Sequence, residues 1–142
     1  MQMLNKILSD VRTIAISGHV RPDGDCVGSC IGLYQYIKEN FTEKKVDVYL
    51  EEIPEAFTCL KATKEICHEI SDEKVQYDLF FCLDCGDKER LGFSGELFDN
   101  AKYTYCIDHH ISNTGFAQES YVVPDASSTS ELVYNLLEDE KI

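Results

Sequence analysis

Thr13-Ile-Ala-Ile-Ser-Gly-His-Val-Arg-Pro-Asp-Gly-Asp-Cys-Val-Gly-Ser29 joins an apolar run to a loop crowded with ionisable side chains and then to the opening of a helix. The near-continuous hydrophobicity of its first five residues is the pattern of a strand covered on both faces, as in a parallel sheet. Beyond the loop, Val27, Ile31, Leu33, Tyr34 and Ile37 recur at helical spacing, so residues 25–40 turn an apolar stripe toward that sheet. Lys45-Val-Asp-Val-Tyr-Leu50 is the candidate next strand, which makes the whole segment a βαβ unit.

Two further runs share the strand pattern, Asp78-Leu-Phe-Phe-Cys-Leu83 and Tyr103-Thr-Tyr-Cys-Ile107. Residues 54–70 are expected to hold one or two short helices, because Phe57, Leu60, Ile66 and Ile70 are interrupted by Lys and Glu. Ser128-Thr-Ser-Glu131 has capping-box spacing, and Leu132, Val133, Leu136 and Leu137 then mark one face of a final helix. The expected fold class is α/β: a Rossmann-like three-layer domain with a mainly parallel sheet flanked by helices. No internal repeat, low-complexity tract or Pro/Gly-rich linker divides the chain.

The 142 residues are 44% hydrophobic and 27% charged, which suits one compact domain and excludes disorder. No stretch reaches the roughly 20 apolar residues of a membrane span, and residues 1–10 lack the apolar run of a signal peptide, so the expected location is cytoplasmic. With 13 Lys and Arg against 26 Asp and Glu, the net charge of −13 opposes the phosphate-neutralising surface that a long duplex requires. Small phosphorylated ligands stay open to an acidic protein if divalent metals supply the local positive charge. The seven cysteines are an odd set and are expected as buried free thiols; Cys82 and Cys85 as a metal or redox pair is the alternative.

Ionisable residues gather after three strands. His19, Asp23 and Asp25 follow the first, Asp84-Cys-Gly-Asp87 follows the run ending at Leu83, and Asp108-His-His110 follows the run ending at Ile107. A parallel sheet brings such strand ends to one edge, where ligands of open α/β sheets bind. Taken singly, Asp23-Gly-Asp25 is also a plausible turn with Asp25 capping the helix, and His109-His110 a solvated pair. Their coincidence favours a metal site, while His68 has no such company and reads as surface. Mixed His and Asp ligands suit a hard or borderline ion such as Mn²⁺, with Mg²⁺ or Co²⁺ as alternatives. Clustered carboxylates repel one another without cations, which implies two ions. Such a pair, about 3.5–4 Å apart, binds phosphate oxygens, generates a hydroxide and stabilises the leaving group of an in-line displacement.

Gly18-His-Val-Arg-Pro-Asp-Gly-Asp-Cys-Val-Gly-Ser29, Asp84 and Asp108-His109-His110 together resemble motifs I, II and III of the DHH phosphoesterases. Asp87, Arg90-Leu-Gly92 and Pro124-Asp-Ala-Ser-Ser-Thr-Ser-Glu131 are similar to segments of the branch containing nanoRNases and pAp phosphatases. The resemblance implies that His19 and Asp23 hold one Mn²⁺, Asp25 and His109 the other, and that Asp84 bridges them. It implies catalytic roles for Asp84, Asp108, His109 and His110, with Asp108 orienting the histidines, and it makes His110 and Arg21 the candidates to touch substrate. The family's fourth motif, similar to Gly-Ile-x-x-Asp-Thr-Gly, and its glycine-rich second domain have no counterpart in these residues. The expectation is therefore a DHH catalytic domain over residues 1–142, incomplete at its C-terminus and part of a longer protein, with the final helix still needing a packing partner.

The expected activity is Mn²⁺-dependent hydrolysis of short oligoribonucleotides or 3′-phosphoadenosine 5′-phosphate by hydroxide attack on phosphorus. The alternatives are a cyclic-dinucleotide phosphodiesterase or pyrophosphatase of the same superfamily, and a metal- and nucleotide-binding module without turnover. A nicotinamide site is disfavoured, because Gly24, Gly28 and Gly32 are spaced G-x-x-x-G-x-x-x-G instead of G-x-G-x-x-G. Expected partners are a small nucleotide or short oligoribonucleotide, with no long duplex and no membrane; an open sheet edge admits an oligomer.

Overall fold

The computed structural model describes residues 3–71 and 74–140; Met1, Gln2, Lys141 and Ile142, counted in the expected domain, lie outside the described residues, as do Asp72 and Glu73. Its strands are β1 Thr13–Ser17, β2 Lys45–Tyr49, β3 Leu79–Leu83, β4 Tyr103–Asp108 and β5 Glu119–Val122. They form one all-parallel sheet in the order β2-β1-β3-β4-β5, so the direction of winding reverses between β1 and β3. That reversal opens a crevice at the carboxyl ends of β1 and β3, the place where open α/β sheets bind ligands.

Side-chain alternation explains the three layers. Ile14, Ile16, Leu79, Phe81, Leu83, Tyr105 and Ile107 belong to the core covered by helices α1 Met3–Leu8, α2 Gly24–Asn40 and α4 Thr129–Glu140. Ala15, Phe80, Cys82 and Cys106 belong to a second core. This second core is closed by Leu91 of a 3₁₀ segment, Lys88–Ser94, and by Leu97 and Phe98 of helix α3 Gly95–Asn100. All five residues of β3 are buried because the strand is central and covered on both sides.

Asp23 caps α2, its carboxylate accepting the Cys26 N–H at 3.0 Å, which corrects the reading that gave Asp25 the cap. The predicted stripe Val27, Ile31, Leu33, Tyr34 and Ile37 is buried. Residues 54–70 contain two short 3₁₀ turns, Glu55–Phe57 and Lys61–Glu65. The final helix has its packing partner within the chain: α4 lies mainly on α2 and buries Leu132, Val133 and Leu136, each worth about 1.5–3 kcal/mol relative to exposure. All seven cysteines are free, but Cys59 is exposed and Cys67 half-buried, so the buried-thiol expectation holds for the other five. Among the described residues no helix is long and apolar enough to cross a membrane.

Candidate metal centre

The loop after β1 begins at Gly18, where a Cβ would stand 2.3 Å from Cys26 Sγ and 2.9 Å from the Leu83 carbonyl oxygen. Only glycine lets the chain pass this close to the end of β3. His19 then donates Nδ1–H to the Val20 carbonyl at 2.7 Å, which fixes the ring and leaves Nε2 facing inward. That nitrogen lies 3.3 Å from Asp84 Oδ2 and 3.6 Å from Asp23 Oδ1.

Asp84, the residue after β3, adopts a left-handed backbone with φ 57°, and its N–H donates to the Ile107 carbonyl at 3.0 Å. A non-glycine residue held there stores of order 1–3 kcal/mol, which the surrounding structure must offset. The conformation turns a 97%-buried carboxylate into the crevice with its two oxygens facing different partners. Oδ2 faces His19, whereas Oδ1 is 3.5 Å from His109 Nε2 and accepts the Thr129 hydroxyl at 3.2 Å.

The end of β4 supplies the third group. His109 Nε2 is 3.5 Å from Asp25 Oδ2 as well as from Asp84. His110 donates Nδ1–H to Asp108 Oδ1 at 2.6 Å, and Asn113 donates its side-chain N–H to Asp108 Oδ2 at 2.9 Å, so the fully buried Asp108 carboxylate has a partner on each oxygen. The rings of His109 and His110 lie 4.6 Å apart at 38°.

Sequence reasoning missed the contribution of α4. Its first amides, Thr129 N–H and Ser130 N–H, donate to Asp25 Oδ2 and Oδ1 at 3.0 and 2.8 Å. A helix N-terminus has free amides and a positive dipole end, so it holds a carboxylate well. The capping-box spacing located this helix start, and the orphan amides were the signal that an anion belonged there. The box itself is displaced by one residue: Ser128 Oγ accepts the Glu131 N–H, but Glu131 Oε1 accepts from Ser127.

A cavity of about 470 Å³ opens over these groups, lined by His19, Asp23, Asp25, Asp84, Asp87, Arg90, His109 and His110, with Ser112, Ser127 and Ser128 at its wall. Arg90, quoted for the resemblance but given no role there, lines it from the 3₁₀ segment Lys88–Ser94, its carbonyl accepting the Val20 N–H at 2.7 Å. Arg21 does not line it. A left-handed φ of 51° and a bond from its N–H to Glu51 Oε1 at 2.7 Å place Arg21 in a neighbouring depression with Glu51 and His68. His68 is exposed, as expected.

The electrostatics divide the carboxylates. Burial alone would push Asp25 up, but the Ser130 and Thr129 amides hold it below the ordinary carboxylate value. Burial pushes Asp84 up, aided by the charges of Asp25 and Asp23 and opposed by His19. The hydrogen bond to Asp84 raises His19 to about 9 against the opposing effect of burial. A histidine whose folded pKa lies above its unfolded one stabilises the fold fully below the unfolded value, about 6.5, and loses that contribution as pH rises through about 9. Metal-free protein in chelator should therefore melt at a lower temperature at about pH 9.5 than at about pH 6.5, with a shallower slope in His19→Asn. Parallel melting profiles for the two proteins would refute this.

Two donor sets share Asp84, namely His19 with Asp23 and His109 with Asp25, and His110 Nδ1 also comes within 4.0 Å of Asp84 Oδ1. Oxygen and imidazole donors, mutually repelling acids and histidines with a free inward nitrogen fit hard or borderline divalent cations. An α/β domain that gathers acid and imidazole side chains at its sheet reversal is, by class, one with a candidate cation site there. The chain belongs to the DHH family: the family's N-terminal domain matches residues 13–142. It is 29% identical over 136 residues to a probable bifunctional oligoribonuclease and PAP phosphatase NrnA of Streptococcus mutans, covering 94% of this chain and 42% of that protein. It is 28% identical over 153 residues to the cyclic-di-AMP phosphodiesterase PdeA of Listeria monocytogenes, covering 96% of this chain and 23% of that protein. The crystal structure of an exopolyphosphatase-related protein from Bacteroides fragilis superposes with a TM-score of 0.85 at 27% identity, over 97% of this chain and 42% of that one. The chain thus spans about two fifths of the length of the NrnA relative.

Proposed function

We propose that this domain is the metal-binding half of a Mn²⁺-dependent phosphoesterase acting on short oligoribonucleotides or 3′-phosphoadenosine 5′-phosphate. The observation that carries the reading is the division of Asp84, one oxygen toward His19 and Asp23, the other toward His109 and Asp25. In this reading those residues hold two cations, with Asp84 shared. Divalent ions in such a site supply positive charge to phosphate oxygens and acidify the attacking water.

The protein's own groups do the positioning. Asp108 accepts the Nδ1 proton of His110 and so orients the ring, and in the protonated ring the opposite nitrogen, as Nε2–H, would donate to a phosphate oxygen. Arg90 offers a guanidinium to a second phosphate oxygen at the same wall. The α4 amides hold Asp25 ionised and aimed at His109. The net charge of −13 discourages a long duplex while leaving a small nucleotide, steered by cations, acceptable.

The test is a substrate panel with Mn²⁺ and the intact protein: a 5′-phosphorylated dinucleotide, 3′-phosphoadenosine 5′-phosphate, cyclic di-AMP and pyrophosphate. Release of mononucleotide or phosphate from the first two is expected. Exclusive turnover of cyclic di-AMP or pyrophosphate would move the substrate class, and nucleotide binding without any turnover would replace the enzyme by a binding module.

A further inference from the structure

We propose that the two cation positions differ in chemical softness, because Cys26 gives the His19 side a sulfur donor. The proposal rests on the two-cation reading above and adds a residue to it. Cys26 sits in the first turn of α2, next to Asp25, and is fully buried. Donor atoms of His19, Cys26 and Asp84 all lie within 4.8 Å of one another. The matching group on the other side is Asp84, His109 and His110, which contains no sulfur.

The loop makes room for this thiol. Cys26 Sγ occupies the space that a side chain at position 18 would need, 2.3 Å from where that Cβ would stand, so Gly18 leaves the sulfur its place within 4.8 Å of the His19 and Asp84 donor atoms. Donors around one tetrahedral ion lie about 3.3–3.7 Å apart when metal–sulfur and metal–nitrogen bonds take their usual lengths. The His19–Asp84 pair, at 3.3 Å, already has that spacing.

The chemical consequence follows from ligand softness. A hard ion such as Mn²⁺ is satisfied by the carboxylates and imidazole, whereas Zn²⁺, Cd²⁺ or Co²⁺ gains from a thiolate. Binding such an ion forms one metal–sulfur bond and releases the Cys26 thiol proton to solvent. The His19 side therefore favours thiophilic cations, and the His109 side does not.

Cobalt is the probe. Titrating the reduced, metal-free protein with Co²⁺ should give visible ligand-field bands together with an intense near-ultraviolet thiolate-to-cobalt band. Cys26→Ser and Cys26→Ala should keep the visible bands and lose the near-ultraviolet one, while Cys85→Ser, at a residue lining the cavity, keeps both. In competition, the ratio of Cd²⁺ to Mn²⁺ affinity should fall at least about tenfold in Cys26→Ser, the scale on which groups around a metal tune its binding. Circular dichroism confirms that each variant is folded. A wild-type cobalt complex without the near-ultraviolet band, or a band that survives Cys26→Ser or vanishes in Cys85→Ser, overturns the sulfur donor and leaves the two-cation reading standing. Failure to bind cobalt or manganese at all, or binding indifferent to Asp84→Asn, overturns both.

Discussion

Asp84→Asn should lower phosphoester hydrolysis by about 10²–10³-fold, the scale on which preorganised charge at a reaction centre contributes. Asparagine is the informative replacement, since it keeps the shape of the carboxylate and tolerates the left-handed backbone that Asp84 adopts at φ 57°. Alanine there would add backbone strain to the loss of charge. Each oxygen of Asp84 faces a different histidine, so a single neutral amide would weaken both proposed cation positions at once. Calorimetric titration with Mn²⁺ should show impaired uptake at both. Above about pH 9, where His19 has given up the proton that Asp84 holds, the metal-free variant should melt no lower than the parent, because burial and the neighbouring acids Asp25 and Asp23 disfavour the Asp84 charge in the fold. Loss of function without loss of stability separates a site residue from a structural one. Full manganese uptake and unchanged turnover in Asp84→Asn would refute the assignment.

Asp108→Asn should act on chemistry while sparing the metals. Asp108 is fully buried and accepts from His110 Nδ1 and from the Asn113 amide. An asparagine there keeps one acceptor and turns the other toward a neighbour as a donor, so it satisfies one partner and opposes the second. An amide no longer pairs with a doubly protonated His110, so the ring gives up a proton or rotates, and either change spoils the Nε2–H that would face substrate. The expected result is a drop in kcat of about 10²–10⁴-fold with KM little altered, the range lost when a positioned acid–base group loses its orienting acceptor. Manganese stoichiometry should match the parent, because His109, Asp25 and Asp84 keep their relations without Asp108. A variant with parental kcat would remove His110 from the reaction.

The parts legible in the sequence are those whose physics is local. β1, β3 and β4 announce themselves because strands buried on both faces need unbroken apolar runs, and α2 and α4 because a helix on a sheet needs one apolar stripe. β5 escaped notice: Glu119-Ser-Tyr-Val122 is an edge strand whose first two residues are exposed, so neither alternation nor hydrophobicity marks it. The layer formed by residues 88–100 was missed for a related reason, being irregular and interrupted at Gly92, where φ is 61°. At the site, acids and imidazoles were visible because chain order places them at successive strand ends. Thr129 and Ser130 were not, since they contribute main-chain amides that no residue type advertises. Arg21 drew attention by lying inside the ionisable loop, yet its backbone carries it to Glu51, and Arg90, remote in sequence, takes the wall instead.

The bond between Asp25 and the start of α4 spans 104 residues. During synthesis the acid leaves the ribosome long before the amides that hold it, so the sheet can assemble while one half of the centre is still loose. Pairings this distant in sequence are slow to close. The last helix therefore acts as a timer: only a chain translated past Ser130 can clasp Asp25, and shorter chains leave that carboxylate without its two amides.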